Sequence, residues 1–321
     1  AGTVLIYRTL EGDWMHKTHN AVFHAVSAFC NAGFSVNPQG FDALRLQSNF
    51  SLQFILCGLV ILGGIGFPLL LYFYKILKFS AKSLCCRAIG RKRPHEVLLL
   101  AVGERLALHT TLVLLVLGAF LYYAFEAGSP LPDAFNLSEG MAAFVASVNA
   151  RTSGFSMTDP GGWSYPTVFL TIFLMWVGAS PGSTGGGIKT TTLAVAVKTM
   201  ASFLRGKDRL EIGNREIGAP TIIRAFSVIG LSLAFIFAGF LLLMIFDPAR
   251  NPAHLLFECV AAFSTTGLSI AGTITLSPHS QVVLMILMFV GRIGPVIVLS
   301  GFLATQTQNL YRLPVEDIKI N

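Results

Sequence analysis

Five apolar runs leave this chain few folds to choose from: Leu52–Tyr74, Leu106–Phe125, Tyr165–Val177, Ile222–Phe246 and Val282–Thr305. At about 1.5 Å of rise per residue, about 20 apolar residues in a helix cross the roughly 30 Å of hydrocarbon in a bilayer. At that depth every backbone N–H and C=O needs a partner within the protein, which leaves helices or closed barrels. Only 12% of the 321 residues are charged and 53% are hydrophobic, whereas soluble domains carry about 25% charge. The chain therefore reads as an all-α polytopic membrane protein, without a globular soluble domain.

The net charge of +7 gains its meaning from where it lies. Residues 75–105 hold eight Lys/Arg against two acids, and residues 189–224 hold seven against three. Between them, residues 126–140 carry Glu126, Asp133 and Glu139 and no positive charge. Basic loops stay on the cytoplasmic side, so the acidic segment is expected outside. Membrane orientation accounts for the basicity without nucleic acid as a partner. The segment "GRKRPHE" and the stretch 198–215 then face the lipid surface or a docking protein.

Three segments align without gaps: "FHAVSAFCNAGFS" (Phe23–Ser35), "FVASVNARTSGFS" (Phe144–Ser156) and "FECVAAFSTTGLS" (Phe257–Ser269). Each has Phe ten residues before a glycine and Ser two after it, and the glycines Gly33, Gly154 and Gly267 are 121 and 113 residues apart. Each copy starts with a helix-compatible run of about ten residues, too short to span. A turn rich in small and polar residues follows, and then a long apolar helix. Irregular backbone at membrane depth is tolerated only where it is covered by protein or lines a polar path. Carbonyls converging at such turns can replace the water around a monovalent cation, and glycine supplies the positive φ that turns them inward. The expected filter residues are Cys30, Asn31, Ala32, Gly33, then Arg151, Thr152, Ser153, Gly154, and Ser264, Thr265, Thr266, Gly267. Their carbonyls are the expected ligands; the side chains of Asn31, Thr152 and Thr265 are expected to brace the turns.

The helices after the turns are interrupted at "GGIGFP" (Gly63–Pro68), "GASPGSTGGG" (Gly178–Gly187) and "GRIGP" (Gly291–Pro295). Paired breaks of this kind mark discontinuous helices beside an ion path. For Gly63–Pro68 ordinary kinking suffices as an explanation; for the long middle insertion it does not. That insertion, read on through Thr192, nearly matches a phosphate-binding loop. However, four residues separate Gly182 from Gly187, and Ile188 then displaces Lys189 by one position. The lysine is thereby turned about 100° on a helix, and an apolar helix precedes the loop where a strand belongs. A membrane ATPase would also need a Walker B aspartate after an apolar strand and a soluble nucleotide domain, and residues 1–321 show neither.

Cys30, Cys57, Cys85, Cys86 and Cys259 have no metal-ligand spacing and read as free, small hydrophobes. His16, His19 and His24 lack acidic or cysteine partners and are expected on a solvated surface. The opening "AGTVLIYRTL" reads as the tail of an apolar span whose earlier part lies upstream of residue 1.

With "NAGFS", "ARTSGFSMTD", "GASPGSTGGGIKTTT", "AFSTTGLS" and "GRIGP" spread over residues 20–300, the chain resembles the Trk/Ktr/HKT superfamily of potassium transporters, and most nearly the bacterial Ktr/Trk membrane (pore-forming) subunit. The resemblance implies four helix–pore loop–helix units around one pore, of which three filter turns are present, matching the second to fourth units. It implies the following divisions: 1–74, the second unit without most of its first helix; 75–105, a basic cytoplasmic linker; 106–203, the third unit. Then come 204–220, a second linker; 221–304, the fourth unit; and 305–321, a cytoplasmic tail.

It also implies a gate formed by Gly178, Ala179, Ser180, Pro181, Gly182, Ser183, Thr184, Gly185, Gly186 and Gly187 under the filter, with Arg292 beside it. Arg292 then faces the pore, clamps freed carbonyls, or does both. Arg151 is expected to point behind its turn, where pairing with an acid such as Glu258 stays open. The implied cargo is K+, with Na+ as the alternative, since the first filter turn that bears on this choice is absent here. The implied setting is the bacterial inner (plasma) membrane. The implied assembly is a homodimer over a separate cytoplasmic ring of nucleotide-binding regulatory subunits, with no organic cofactor and no enzymatic activity.

Overall fold

A computed structural model describes residues 2–10, 13–36, 49–88, 100–126, 137–155, 160–207 and 209–302. The "GRKRPHE" linker, Asp133, Ser156–Asp159 and the tail 305–321 lie outside them. The helices come in three similar groups. The first is α1 (Gly2–Thr9), α2 (Trp14–Phe29), α3 (Phe50–Ile65) and α4 (Phe67–Ala88). The second is α5 (Val102–Glu126), α6 (Leu137–Asn149), α7 (Tyr165–Trp176) and α8 (Thr190–Leu204). The third is α9 (Ala219–Phe246), α10 (Pro252–Phe263), α11 (Pro278–Ile293) and α12 (Pro295–Phe302).

Within each group the first and third helices pack together and the short second one packs on the first, in α1–α2–α3, α5–α6–α7 and α9–α10–α11. Between groups, α3 packs on α6 and α7 packs on α10. Each third helix thus lies against the short helix of the next group, an arrangement that curls the chain around an axis. Among the short helices the third is the best covered. α10 buries Leu255, Phe257, Glu258, Cys259, Val260, Ala261, Ala262 and Phe263, as expected of a helix enclosed on all sides. α9 is the reverse case. It buries only Ala225, Ser232, Ile236, Gly239 and Leu243 and turns Ile223, Phe237 and Ile245 outward. Mostly small residues inside and large apolar ones outside are the pattern of a helix facing lipid.

The outer ends are tied by capping side chains. The Glu126 carboxylate, at the end of α5, accepts from the backbone N–H and hydroxyl of Ser164 (3.1 and 3.0 Å) at the start of α7. Asp247, just after α9, likewise accepts from the Ser277 backbone N–H and hydroxyl (3.2 and 2.9 Å) and from Ser280 at the start of α11. In the first group Asn49 Nδ2 donates to the Thr9 carbonyl (3.1 Å), and its Oδ1 accepts from Leu52 N–H (3.1 Å). Each strap satisfies donors that a helix start leaves open.

The apolar runs are realised unevenly. Val102–Glu126 and Ala219–Phe246 are single helices long and apolar enough to cross a membrane. Two others are bent pairs: Phe50–Ile65 with Phe67–Ser83 at 109°, and Pro278–Ile293 with Pro295–Gly301 at 96°. Tyr165–Trp176 has only 12 residues, about 18 Å, and cannot span alone. The Gly63–Pro68 break is therefore far more than a kink: Gly66 has φ +97°, matched by Gly294 at +101°. The helices before the turns have 16, 13 and 12 residues, longer than the expected ten. A small antiparallel hairpin, Glu211–Ile212 with Arg215–Glu216, is the one sheet among the described residues.

Candidate ion path

The first and third of the short helices end alike. At the C-terminus of α10, Thr266 N–H bonds to the Ala261 carbonyl (2.9 Å) and Thr265 N–H to that of Ala262 (3.0 Å). α2 closes in the same way, through Ala32 to Ser27 (2.9 Å) and Asn31 to Ala28 (3.2 Å). This closure places the residue after the cap in the left-handed region, where glycine is usual. Here it is Asn31 (φ 51°) and Thr265 (φ 53°); Thr152 (φ 67°) takes the same aligned place after a helix that closes through Arg151 N–H to the Val148 carbonyl (3.1 Å) and Ser153 N–H to that of Asn149 (3.3 Å), and the glycines two residues later follow at φ 71°, 70° and 86°. Each turn thus has two left-handed residues. The sequence alignment pointed to the glycine of each pair but not to its partner. A β-branched residue in that region is an outlier costing of order 1–3 kcal/mol, and two of the three turns carry one.

The three turns meet. A β-carbon on Gly33 would lie 2.7 Å from the Ser153 carbonyl oxygen and 2.8 Å from Gly154 Cα. One on Gly154 would lie 2.4 Å from the Thr266 oxygen, and one on Gly267 would lie 3.5 Å from Gly154 Cα. The carbonyl before each later glycine therefore abuts the glycine of the preceding turn. Only a residue without a side chain permits that approach.

Loop 178–187 packs directly on these turns. A β-carbon on Gly185 would sit 2.2 Å from Thr152 Oγ1, and one on Gly186 would sit 2.5 Å from Thr265 Oγ1 and 2.8 Å from the Ser264 oxygen. The loop also reaches the first bend: Ser180 N–H donates to the Gly64 carbonyl (3.1 Å) and Phe67 N–H to that of Gly182 (3.0 Å). Its base is pinched by a bridge between Val177 and Ile188. Asn31 lies under its own turn, its amide nitrogen on the Ala28 and Val60 carbonyls (3.0 and 3.2 Å) and its oxygen facing the Thr152 hydroxyl. Thr265 Oγ1 is buried without a hydrogen-bond partner.

Three cations hold the loop by its carbonyls. Arg151 is buried behind its turn and donates to Thr111 O (2.9 Å) and Gly178 O (3.3 Å). Its pairing with Glu258 is not formed. That carboxylate instead accepts from Ser269 Oγ (2.6 Å) and from the N–H groups of Ile270 and Ala271 (both 3.0 Å), bracing the chain after the third turn. Arg292 donates to the Thr184 carbonyl, and Lys189 Nζ to that of Gly185 (2.6 Å). With Lys189 folded onto the loop and Ile188 N–H given to the Trp176 carbonyl (3.2 Å), the phosphate-cradle reading loses its donors. His24, expected on the surface, is buried. Its Nε2 lies 3.2 Å from Ser35 Oγ and its Nδ1 2.8 Å from the Asn20 carbonyl. His24 and Glu258 occupy the same aligned position, and each reaches the serine two residues after its glycine. Among the described residues no cluster of His, Cys, Asp or Glu could hold a metal. Cys57 and Cys259 are buried and free, whereas Cys30 is exposed.

The family model described as TrkH, cation transport protein, matches residues 4–309, and the chain belongs to that family, which is one of cation transporters and not of enzymes. It is 31% identical over 317 residues to the Ktr system potassium uptake protein B of Vibrio alginolyticus, covering 98% of this chain and 65% of that one. Over 299 residues it is also 31% identical to the protein of the same name from Bacillus subtilis, covering 92% and 62%. With the potassium/sodium uptake protein NtpJ of Enterococcus hirae it shares 30% over 316 residues, covering 97% and 66%. The crystal structure of the potassium transporter TrkH from Vibrio parahaemolyticus superposes with a TM-score of 0.67 at 15% identity, covering 94% of this chain and 62% of that one. The chain thus spans 62–66% of the length of these relatives.

Proposed function

We propose that this protein takes up potassium across the bacterial inner membrane through the three turns at residues 30–33, 151–154 and 264–267, gated by loop 178–187. The reading rests on one observation: turns 121 and 113 residues apart abut carbonyl to glycine. In a transporter of this family, such a cluster of backbone oxygens suits a dehydrated monovalent cation. The loop beneath, tied to all three groups by backbone contacts, stands where it would obstruct that path. A fourth unit closing the ring is supported by two uncovered apolar faces, Val22, Val26 and Phe29 on α2 and Met285, Ile286 and Phe289 on α11. A homodimer above a separate nucleotide-binding ring completes the reading.

Rubidium uptake into liposomes carrying the full-length protein tests the proposal. Uptake that potassium inhibits is expected, and uptake no faster than in empty liposomes would refute it. Sodium is the second reading, favoured by the name of the Enterococcus relative; inhibition by sodium as strong as by potassium would establish it.

A further inference from the structure

Helices α5 and α9 both pack on α8, and the space between them, closed below by the 211–216 hairpin, holds two adjoining cavities. One, of about 510 Å³, is walled by apolar side chains including Ile65, Leu69, Val195, Ile217 and Val228, and it ends on Pro181. Its one carboxylate, Glu104, is engaged by the Ala101 N–H at the start of α5 (3.2 Å), and Arg224 stands exposed among its lining residues. The second, of about 940 Å³, is lined by Arg105, His109, Lys198 and Arg215 and, among the described residues, by no carboxylate. Ala101, Val102, Leu106 and Ile212 line both.

These two chemistries side by side call for an amphiphile with an anionic head. A small polar anion would leave the apolar cavity unfilled, and apolar cavities do not take up water in its place. A neutral lipid would leave the cationic groups without a counter-charge. An acidic protein has no feature that would enter the apolar cavity. We propose that the paired cavities bind one anionic phospholipid, its phosphate among Arg105, Lys198 and Arg215 and one acyl chain running up to Pro181. The site lies on the side where the basic segments gather, which is the leaflet that anionic lipids enrich.

The test is the melting temperature of the full-length protein in neutral detergent, titrated with phosphatidylglycerol. Phosphatidylcholine of the same chains and free glycerol phosphate serve as comparisons. A saturable rise with phosphatidylglycerol alone is expected. Replacing two exposed cations together, Lys198→Gln with Arg215→Gln, should weaken the midpoint about twenty-five-fold, at about fivefold for each charge. Val228→Trp, which intrudes on the apolar cavity and leaves every charge in place, should weaken the midpoint for phosphatidylglycerol as well. Equal shifts with the two lipids, a full shift with glycerol phosphate, or an unchanged midpoint in the double variant would each overturn the proposal. So would saturation by polyglutamate without any response to phosphatidylglycerol.

Discussion

At Gly154 two demands coincide, a φ of +70° and a backbone oxygen 2.4 Å from where a β-carbon would go. Alanine there must strain its own backbone by about 1–2 kcal/mol and push the third turn away. Gly154→Ala is expected to cut rubidium uptake at least about tenfold and to narrow the preference over sodium. Unchanged uptake and preference would remove this turn from the path. Thr265 makes the opposite case. Its left-handed backbone and unpartnered hydroxyl both cost stability, the latter about 1–3 kcal/mol. Thr265→Ala should therefore melt no lower than the parent while conducting less well. A variant that melts several degrees lower would mean that the hydroxyl has a structural partner.

The helix straps and the close approaches behind the turns belong to the elements. A β-carbon on Gly63 would come within 2.0 Å of the Phe29 carbonyl, whereas one on Gly58, in the same helix, meets nothing within 4 Å. Gly63→Ala is expected to cost at least about 1–3 kcal/mol through overpacking, while Gly58→Ala should be neutral or stabilising by up to about 1 kcal/mol. Equal melting temperatures for the two variants would contradict the packing of α2 against α3. The strap from α9 to α11 depends on pH. Hydrogen bonds from Ser280 and Ser277 hold the Asp247 carboxyl below its ordinary range. A carboxyl depressed in the folded state stabilises fully above its unfolded pKa, about 3.9, and that contribution fades as pH falls through the lower folded value. Asp247→Asn should thus melt below the parent by a constant margin above about pH 5, and the margin should shrink below about pH 4. A margin that persists unchanged to pH 3 would show that the charge of Asp247 does not matter to the strap.

In the molecule as a whole, one packing rule, third helix against the next short helix, brings neighbouring turns into contact and sets loop 178–187 against them. Val177 and Ile188 lie side by side as a parallel pair, which no two-residue turn can join, so residues 179–186 are deleted and a short Gly/Ser linker takes their place to lead the chain round. In the full-length protein this deletion is expected to raise rubidium flux several-fold while leaving potassium-over-sodium preference intact, the reverse of Gly154→Ala. A well-folded deletion variant with parental flux would refute the loop as the gate.

Much of this architecture was legible along the chain, because hydropathy and glycine spacing are local properties. Apolar runs required helices, the gap-free alignment located three turns, and Gly/Pro clusters marked where helices stop. Contacts set by distant residues were not legible. Nothing beside His24 announces that it will be buried against Ser35, and nothing near Arg151 announces that carbonyls, rather than Glu258, will take its charge. The left-handed conformation of Thr152 and Thr265 runs against their local preference and exists because helix closure and the loop below impose it. Bends of 109° and 96° likewise went unforeseen, since a glycine permits a turn while only the packing on either side sets its angle. Patterns that repeat along the chain could be read from it; partners hundreds of atoms away had to await the fold.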